Sequence, residues 1–446
     1  MYTPKLRVAI CGGGIGGLCL AVPLSKQAHL QVDVYEAAGR FTEIGAGLMI
    51  WSRTWRIFEL LGLAADFAKV ADSEPNPDVG IGFNYRRSDR PQGFHWNFVS
   101  MPYGCIRFHR AHFLDVFVEH LPPGVAHFGK RLVSYERRAG GEIGLTFADG
   151  THAECDVLVG CDGIKSVVRA ELLRSKAAED ARPELLKLIE PKWTGTIAYR
   201  GLVPSTEIPS RNGAKHDTLA TPMMYCGQNK HIVAYSIAQG HIVNWVAFAS
   251  EPEKDDTDYG AEWVKPCSKE EVLQTFSGWE SEAVELLERV DNPTKWVIHH
   301  LHPLPFYVAD RVVLLGDAAH GMTPHLGAGA GQAIEDAFIL AKVLEAAAPG
   351  EYRSSLKSEK NGLHYVTSTL DAALAAYEQT RLPVANHVLT SADESGKMYE
   401  FNSPFAEKYE TLGPAIKGQW SFLTASTPEG EVDKAMGIFQ GIIQAI

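Results

Sequence analysis

The sequence predicts an α/β protein with a doubly wound, mostly parallel sheet, a second β-sheet domain and C-terminal helices. Three observations predict it. Short apolar runs lead straight into glycine-bearing turns at residues 12–17, 160–163 and 316–331. Alternating, turn-bounded strand patterns fill residues 185–300, and residues 349–446 read as largely helical. The expected organisation is a nucleotide-binding domain in two parts, 1–184 and 301–348. The β-rich domain at 185–300 interrupts it, and residues 70–103 pair with that second sheet.

Residues 6–11 (Leu-Arg-Val-Ala-Ile-Cys) form a short β-branched run, as in a buried parallel strand. Gly12, Gly13, Gly14, Ile15, Gly16 and Gly17 follow, and residues 18–26 read as a helix. Gly12 permits the tight turn, Gly14 lets backbone approach a pyrophosphate, and Gly17 lets helix and strand pack closely. The helix N-terminus turns unpaired N–H groups toward phosphate. A second strand, 31–35, ends at Glu36 and Ala37. An acid about 20 residues past the turn binds ribose hydroxyls and repels a 2′-phosphate, so this Rossmann-like unit suits FAD or NAD rather than NADP.

The second glycine segment, Gly160-Cys161-Asp162-Gly163, follows the apolar strand 154–159. The third follows the strand 312–315 and runs Gly316-Asp317-Ala318-Ala319-His320. Beyond it stand Pro324, His325, Leu326, Gly327, Ala328, Gly329, Ala330, Gly331 and Gln332. Asp317 thus stands at the carboxyl end of a parallel strand, where such folds bind ligands. The alternating glycines keep the loop free of bulk, so its N–H groups can face a flat ring. A helix beginning at Gln332 would aim its positive end there, an effect of ~0.3–2 kcal/mol.

The chain has 446 residues, 45% of them hydrophobic, enough for two or three domains. A formal charge of −12 argues against nucleic acid as a main partner, though one cleft can still attract an anion. The seven cysteines are scattered, odd in number and without metal-type spacing, which suits a reducing, cytoplasmic setting and no metal. No run approaches the roughly 18 apolar residues of a membrane helix. A homodimer is compatible with the composition.

Elsewhere, 231–238 and 241–249 read as a hairpin over Gln239-Gly240. Residues 251–271 read as an acidic, helix-forming surface. Residues 353–362 read as an inserted polar loop, and 367–399 as a long helix broken near Pro383. The tail from Phe401 is expected to pack on the domain junction.

With the three motifs in view, residues 5–400 resemble the class A flavoprotein aromatic hydroxylases, and within them the salicylate hydroxylase group. The resemblance implies FAD as cofactor, reduced by NADH or NADPH. It also implies O2 as co-substrate, an aromatic acid as substrate and a C4a-hydroperoxyflavin as the oxygenating species. Gly12, Gly14 and Gly17 match the family's pyrophosphate turn, Glu36 its ribose acid, and Arg110 in His109-Arg110-Ala111 an FAD-contacting arginine. Residues 156–163, with Asp162 and closed by Arg169, match a segment serving FAD and the nicotinamide cofactor. Asp317 matches the acid at the ribityl chain or its ribose, and residues 324–332 the loop beneath the isoalloxazine. Gly47 and Ile15 complete the expected cofactor set. The chain departs from the family at His112, at residues 51–54 and at Val384.

Hydroxylating a phenol electrophilically needs an electron-rich ring, and removing the phenolic proton supplies one. His325, beside the flavin loop, is the candidate base. Arg200 is the candidate partner of the substrate carboxylate, and Tyr225 of its hydroxyl. The expected reaction is salicylate, NADH and O2 to catechol and CO2. The rivals are hydroxylation of another aromatic acid, such as 3-hydroxybenzoate or 6-hydroxynicotinate, or a non-catalytic binding protein of the same fold, like the prenyl-GTPase chaperones.

Overall fold

The computed structural model describes residues 6–42, 46–138, 141–210, 215–347 and 368–445. The expected loop at 353–362 and residues 43–45 lie outside them. The nucleotide sheet has six strands in the order Val308–Ala309, Val312–Leu314, Val157–Gly160, Leu6–Cys11, Leu30–Glu36, Ala126–Phe128. Only the edge hairpin, Val308–Ala309 with Val312–Leu314, is antiparallel. Parallel strands covered on both faces read as continuous apolar runs, as the fully buried Val157–Gly160 does.

The register explains how three distant motifs meet. Cys11 pairs with Gly160, and Gly160 with Leu314. The three strands therefore end side by side, and all three glycine turns leave from one edge of the sheet.

The second sheet has eight strands in the order Val264–Pro266, Thr294–His300, Lys192–Pro204, Ile242–Thr257, Lys230–Ile237, Met223–Gly227, Val79–Arg87, Phe94–Pro102. Its two faces bury different sets. Tyr199, Met223, Tyr225, Ile232, Ala234, Val243, Trp245 and Ala247 pack under the helices Lys269–Thr275 and Ser281–Glu288. The alternate residues face the nucleotide domain, because successive side chains on a strand point to opposite faces. The expected hairpin forms between Lys230–Ile237 and Ile242–Thr257. Ala238, Gln239 and Gly240 turn it with positive φ.

Three expectations about local structure are corrected. Residues 251–271 are not one helix: the strand Ile242–Thr257 runs on, Val264–Pro266 pairs at the edge, and helix starts only at Lys269. Sheet pairing outweighs the helix-favouring composition there. The helix after the third motif spans Gly329–Ala346, one turn earlier than Gln332. Pro383 does not break the helix Thr369–Tyr399; it sits on the exposed side, where water can satisfy the carbonyl it leaves unpaired. The tail forms the helices Tyr409–Gly418, Phe422–Ala425 and Pro428–Ala445, and Trp420 packs edge-on to Trp51 at 4.6 Å. Among the described residues no helix is long and apolar enough to cross a membrane.

Candidate active site

A cavity of about 440 Å³ lies between the strand ends of the nucleotide sheet and one face of the large sheet. Its nucleotide-side wall is built by Gly14, Ile15, Gly16 and Gly17, by Cys161 and Gly163, and by Gly316 and Asp317. The loop Pro324, His325, Gly327, Ala328, Gly329 and Ala330 closes one end. Arg200, Val233, Tyr235, Asn244, Val246 and Phe248 come from the large sheet, and Gly47 and Arg110 stand between the two.

The glycines of the first turn divide the work. Gly12 has φ +107° and its missing Cβ would overlap Cys161 O at 2.2 Å; a Cβ on Gly17 would overlap Gly12 O at 2.1 Å. Both are needed for close backbone approach. Gly14 has nothing within 4 Å of its Cβ position and opens onto the cavity, where the N-terminus of the helix Ile15–Leu24 begins. That opening suits a phosphate. Glu36 braces the turn, accepting hydrogen bonds from the N–H of Gly13 at 2.8 Å and of Ala38 at 2.7 Å. Gly12, Glu36 and Ala37 are not part of the cavity wall. Asp317 presents an exposed carboxylate to the cavity.

Several polar atoms of the cavity-lining residues are buried and unpaired: Asn244 Nδ2, Thr323 Oγ1 and Arg200 Nε. Such atoms are costly unless a ligand or water meets them. With the open Gly14 and the exposed Asp317, they fit a long, polar, phosphate-bearing cofactor with a flat end, as FAD is. Asn244 also accepts from Gly47 N–H at 3.0 Å, and a Cβ on Gly47 would meet Tyr235 Oη at 2.5 Å. The two domains are thus stitched beside the cavity.

The loop is held from outside. Trp51 Nε1 donates to Leu326 O at 3.1 Å, and Gly327, at φ +55°, leaves space that Met49 fills. Trp51 and Arg53 act as structural struts, Arg53 donating to Glu335 and Glu431.

His325 is 7% exposed, and its ring lies 5.0 Å from His231 and 5.1 Å from Phe248. Burial, then the neighbouring His231, lowers its pKa to about 3, so the ring is neutral. Arg200 lies over the Trp296 ring at 4.4 Å, with no carboxylate paired to it among the described residues. Burial, then Arg110, lowers its pKa to about 10. It remains a cation in want of an anion.

Two expected site residues are corrected. Tyr225 does not reach the cavity. Its hydroxyl donates to Glu282 Oε1 at 3.1 Å beneath the helices on the far face. Register shows why: Arg200 pairs with Val246, Val246 with Val233, and Val233 with Met224, one row facing the cavity. Tyr225 is one residue on and points away. Asp162 turns its carboxylate to the start of the helix Val167–Glu179, accepting from Ser166 Oγ at 2.5 Å and the N–H of Val167 at 2.7 Å. Its neighbours Cys161 and Gly163 line the cavity instead. Arg169 is likewise structural, donating to the carbonyls of Ile164, Ala318 and Ile189.

Sequence reasoning missed Tyr235, Asn244, Phe83 and Thr323. A signal existed for two of them: a hairpin centred on Gln239-Gly240 pairs Tyr235 with Asn244, on the face shared with Val233 and Val246.

Residues 5–182 and 258–360 match the family described as FAD binding domain. The chain is 39% identical to a salicylate hydroxylase of Pseudomonas putida over 438 residues, covering 97% of this chain and 94% of that protein. It is 31% identical to a 6-methylsalicylate 1-monooxygenase of Aspergillus terreus, covering 99% and 94%. A salicylate hydroxylase substrate complex superposes with a TM-score of 0.81 at 32% identity, covering 97% of this chain and 98% of that one. The 2,6-dihydroxypyridine-3-hydroxylase of Arthrobacter nicotinovorans shares the fold, with a TM-score of 0.70 at 20% identity over 93% and 97% of the two chains. With the glycine turns, the unpaired polar groups and the loop of residues 324–330 gathered at one cavity, these likenesses place the chain in the FAD-dependent monooxygenase family.

Proposed function

We propose that this monooxygenase acts on an ortho-hydroxylated aromatic carboxylate, salicylate, and converts it to catechol and CO2 with NADH and O2. The observation that carries the reading is the pairing, in one cavity, of a guanidinium without a carboxylate partner among the described residues (Arg200) and a neutral histidine (His325). The first suits a ring carboxylate and the second a phenolic proton. The likeness to salicylate and 6-methylsalicylate monooxygenases supports the same chemistry.

FAD, when bound, accepts the hydride and activates the oxygen; this chemistry belongs to the cofactor. The residues proposed to hold it are the Gly12, Gly14, Ile15, Gly16 and Gly17 turn for the pyrophosphate, and Glu36 with Ala37 for the adenosine ribose. Gly47, Arg110, Asp317 and the loop Pro324, Gly327, Ala328, Gly329 and Ala330 complete the set.

Arg200 orients the substrate by its carboxylate. His325 takes the phenolic proton, which pushes electron density into the ring carbon that bears the carboxylate. Hydroxyl addition there breaks aromaticity, and loss of CO2 restores it. Phe83, Val233 and Val246 line the cavity with apolar surface and exclude water. The balance is salicylate, NADH, O2 and two protons to catechol, CO2, NAD⁺ and water.

The test is a panel of aromatic acids in which NADH loss, peroxide and product are followed together. Salicylate should yield catechol and CO2 in step with NADH. Hydroxylation of 3-hydroxybenzoate or 6-hydroxynicotinate, with salicylate only stimulating NADH loss, would replace the substrate assignment. His325→Ala should keep FAD and NADH oxidation but lower product formation by ~10²–10⁴-fold.

A further inference from the structure

His325 sits where an imidazolium cannot last. Its ring is enclosed by His231, Phe248 and Tyr399, and Gly396 of the helix Thr369–Tyr399 gives it room: a Cβ there would lie 2.4 Å from His325 Cδ2. A base in such a place needs an outlet for the proton it takes.

A buried route leads away from it. His231 stands on the cavity-side face of the strand Lys230–Ile237 and stacks on Phe248 at 4.4 Å. Its Nδ1 is 2.9 Å from Glu400 Oε1, with both side chains buried. Glu400 closes the helix Thr369–Tyr399, and its carbonyl accepts from Asn229 N–H at 3.2 Å, which ties it to the sheet. The neighbouring rings of His231 and His325 each keep one buried nitrogen without a partner, His231 Nε2 and His325 Nδ1. Left that way, both nitrogens are costly; a hydrogen bond from one ring to the other satisfies both.

We propose that Glu400, His231 and His325 form a buried proton-transfer line that removes the substrate's phenolic proton from the cavity. It rests on the reading of His325 as the base. With Glu400 ionised, His231 donates from Nδ1 to the carboxylate. Its bare Nε2 then accepts from His325 Nδ1, which leaves His325 Nε2 bare for the phenol. The phenol O–H breaks and its proton goes to His325 Nε2; the Nδ1 proton of His325 passes to His231 Nε2, and the Nδ1 proton of His231 passes to Glu400. The phenol becomes phenolate, Glu400 becomes neutral, both rings stay neutral, and the negative charge moves toward Arg200. His231 and Glu400 are positioning residues, because the ionisation of Glu400 selects the tautomer of His325.

Burial raises the Glu400 carboxyl to about 7 and lowers both histidines to about 3, so the carboxylate is the better resting place for the proton. The groups that act on the line are Ser250 of the large sheet, Cys226 of the strand Met223–Gly227 and Asp393 of the long helix. Lys397 pairs with Asp393 at 2.8 Å and Asp255 at 3.2 Å, which leaves Glu400 as the carboxylate that contacts a ring of the line.

The test uses the FAD-loaded enzyme with salicylate, with histidines labelled in ¹⁵N. In the native enzyme, product per NADH should rise as pH passes through about 7, and the His325 signal should shift to the Nδ1–H tautomer over the same range. Glu400→Gln should lower product per NADH by about 10-fold or more, with peroxide making up the difference. It should also flatten the pH profile and hold His325 in one tautomer, with salicylate affinity and flavin reduction within about twofold. Glu400→Asp should restore part of the pH dependence. His231→Phe fills the same space and should reproduce the Glu400→Gln profile. Should Glu400→Gln lose its FAD, His231→Phe and the native tautomer titration decide. Unchanged coupling and pH profiles in folded Glu400→Gln and His231→Phe, or a native His325 tautomer that does not change through pH 7, overturn the proton line. Full product formation by His325→Ala instead overturns the base assignment beneath it.

Discussion

Two groups of buried polar side chains in this molecule are built on opposite rules. Behind the loop of residues 324–332, Arg381 bridges Asp336 at 2.8 Å, Glu335 at 3.1 Å and Glu431 at 3.2 Å. Arg53 joins Glu335 at 3.1 Å and Glu431 at 2.8 Å, and His320 meets Asp336 at 2.5 Å. Five helices, Ser52–Leu61, Asp317–His320, Gly329–Ala346, Thr369–Tyr399 and Pro428–Ala445, supply these groups. Burial opposes the Asp336 charge, but His320 and Arg381 outweigh it and hold its pKa down to about 2. In the cavity, neither Arg200 nor the neutral His325 is paired with a carboxylate among the described residues. The first group is complete within the chain and holds the fold. The second is incomplete, and in the proposed function an anionic phenol completes it.

Breaking the complete group should have the largest effect on stability. Arg381→Met leaves three acids underpaired and should cost ~3–5 kcal/mol, read as a lower denaturant midpoint and loss of bound FAD. Arg200→Met is the contrasting case. It removes an uncompensated buried cation, so stability should hold or rise, while salicylate affinity, read by flavin titration, should fall by about 30-fold or more. Equal destabilisation by both variants would erase the distinction.

The buried histidines sharpen the comparison through pH. His231 and His325 have folded pKa values of about 3, below the ordinary 6.5, so the native state binds fewer protons than the unfolded chain below pH 6.5. Their contribution is therefore full above pH 6.5 and is lost as pH falls toward 3, by about 1–2 kcal/mol per histidine at pH 5. Glu400, raised to about 7, acts in the opposite sense: its burden on stability appears as pH rises from about 4.5 through 7. His231→Phe should remove part of the acid loss in thermal unfolding. Tyr225→Phe should matter least. It leaves turnover within about twofold and costs ~1 kcal/mol for the buried bond to Glu282.

Much of the nucleotide domain was legible because its signals are local. Gly12 needs a positive φ, Gly14 must stay open and Gly17 must admit a backbone, and each demand is met within a few residues of the turn. Asp317 and the loop around His325 follow from a strand running into glycines. The misplaced residues have a different cause. Tyr225 and Arg200 look equally plausible by type, but which face each one takes depends on register with strands far away in sequence. Asp162 looks like a ligand until the helix that follows claims its carboxylate. Pro383 reads as a break unless its exposure is known.

The residues alone determined the dinucleotide turn and the strands that run into the three glycine segments, because backbone sterics and short-range periodicity set them. Only the tertiary structure decided which side chains of the large sheet meet the cavity, and that Glu400 stands behind His231. Strand register and helix docking are long-range choices, and a shift of one residue would have turned Arg200 away and brought Tyr225 in.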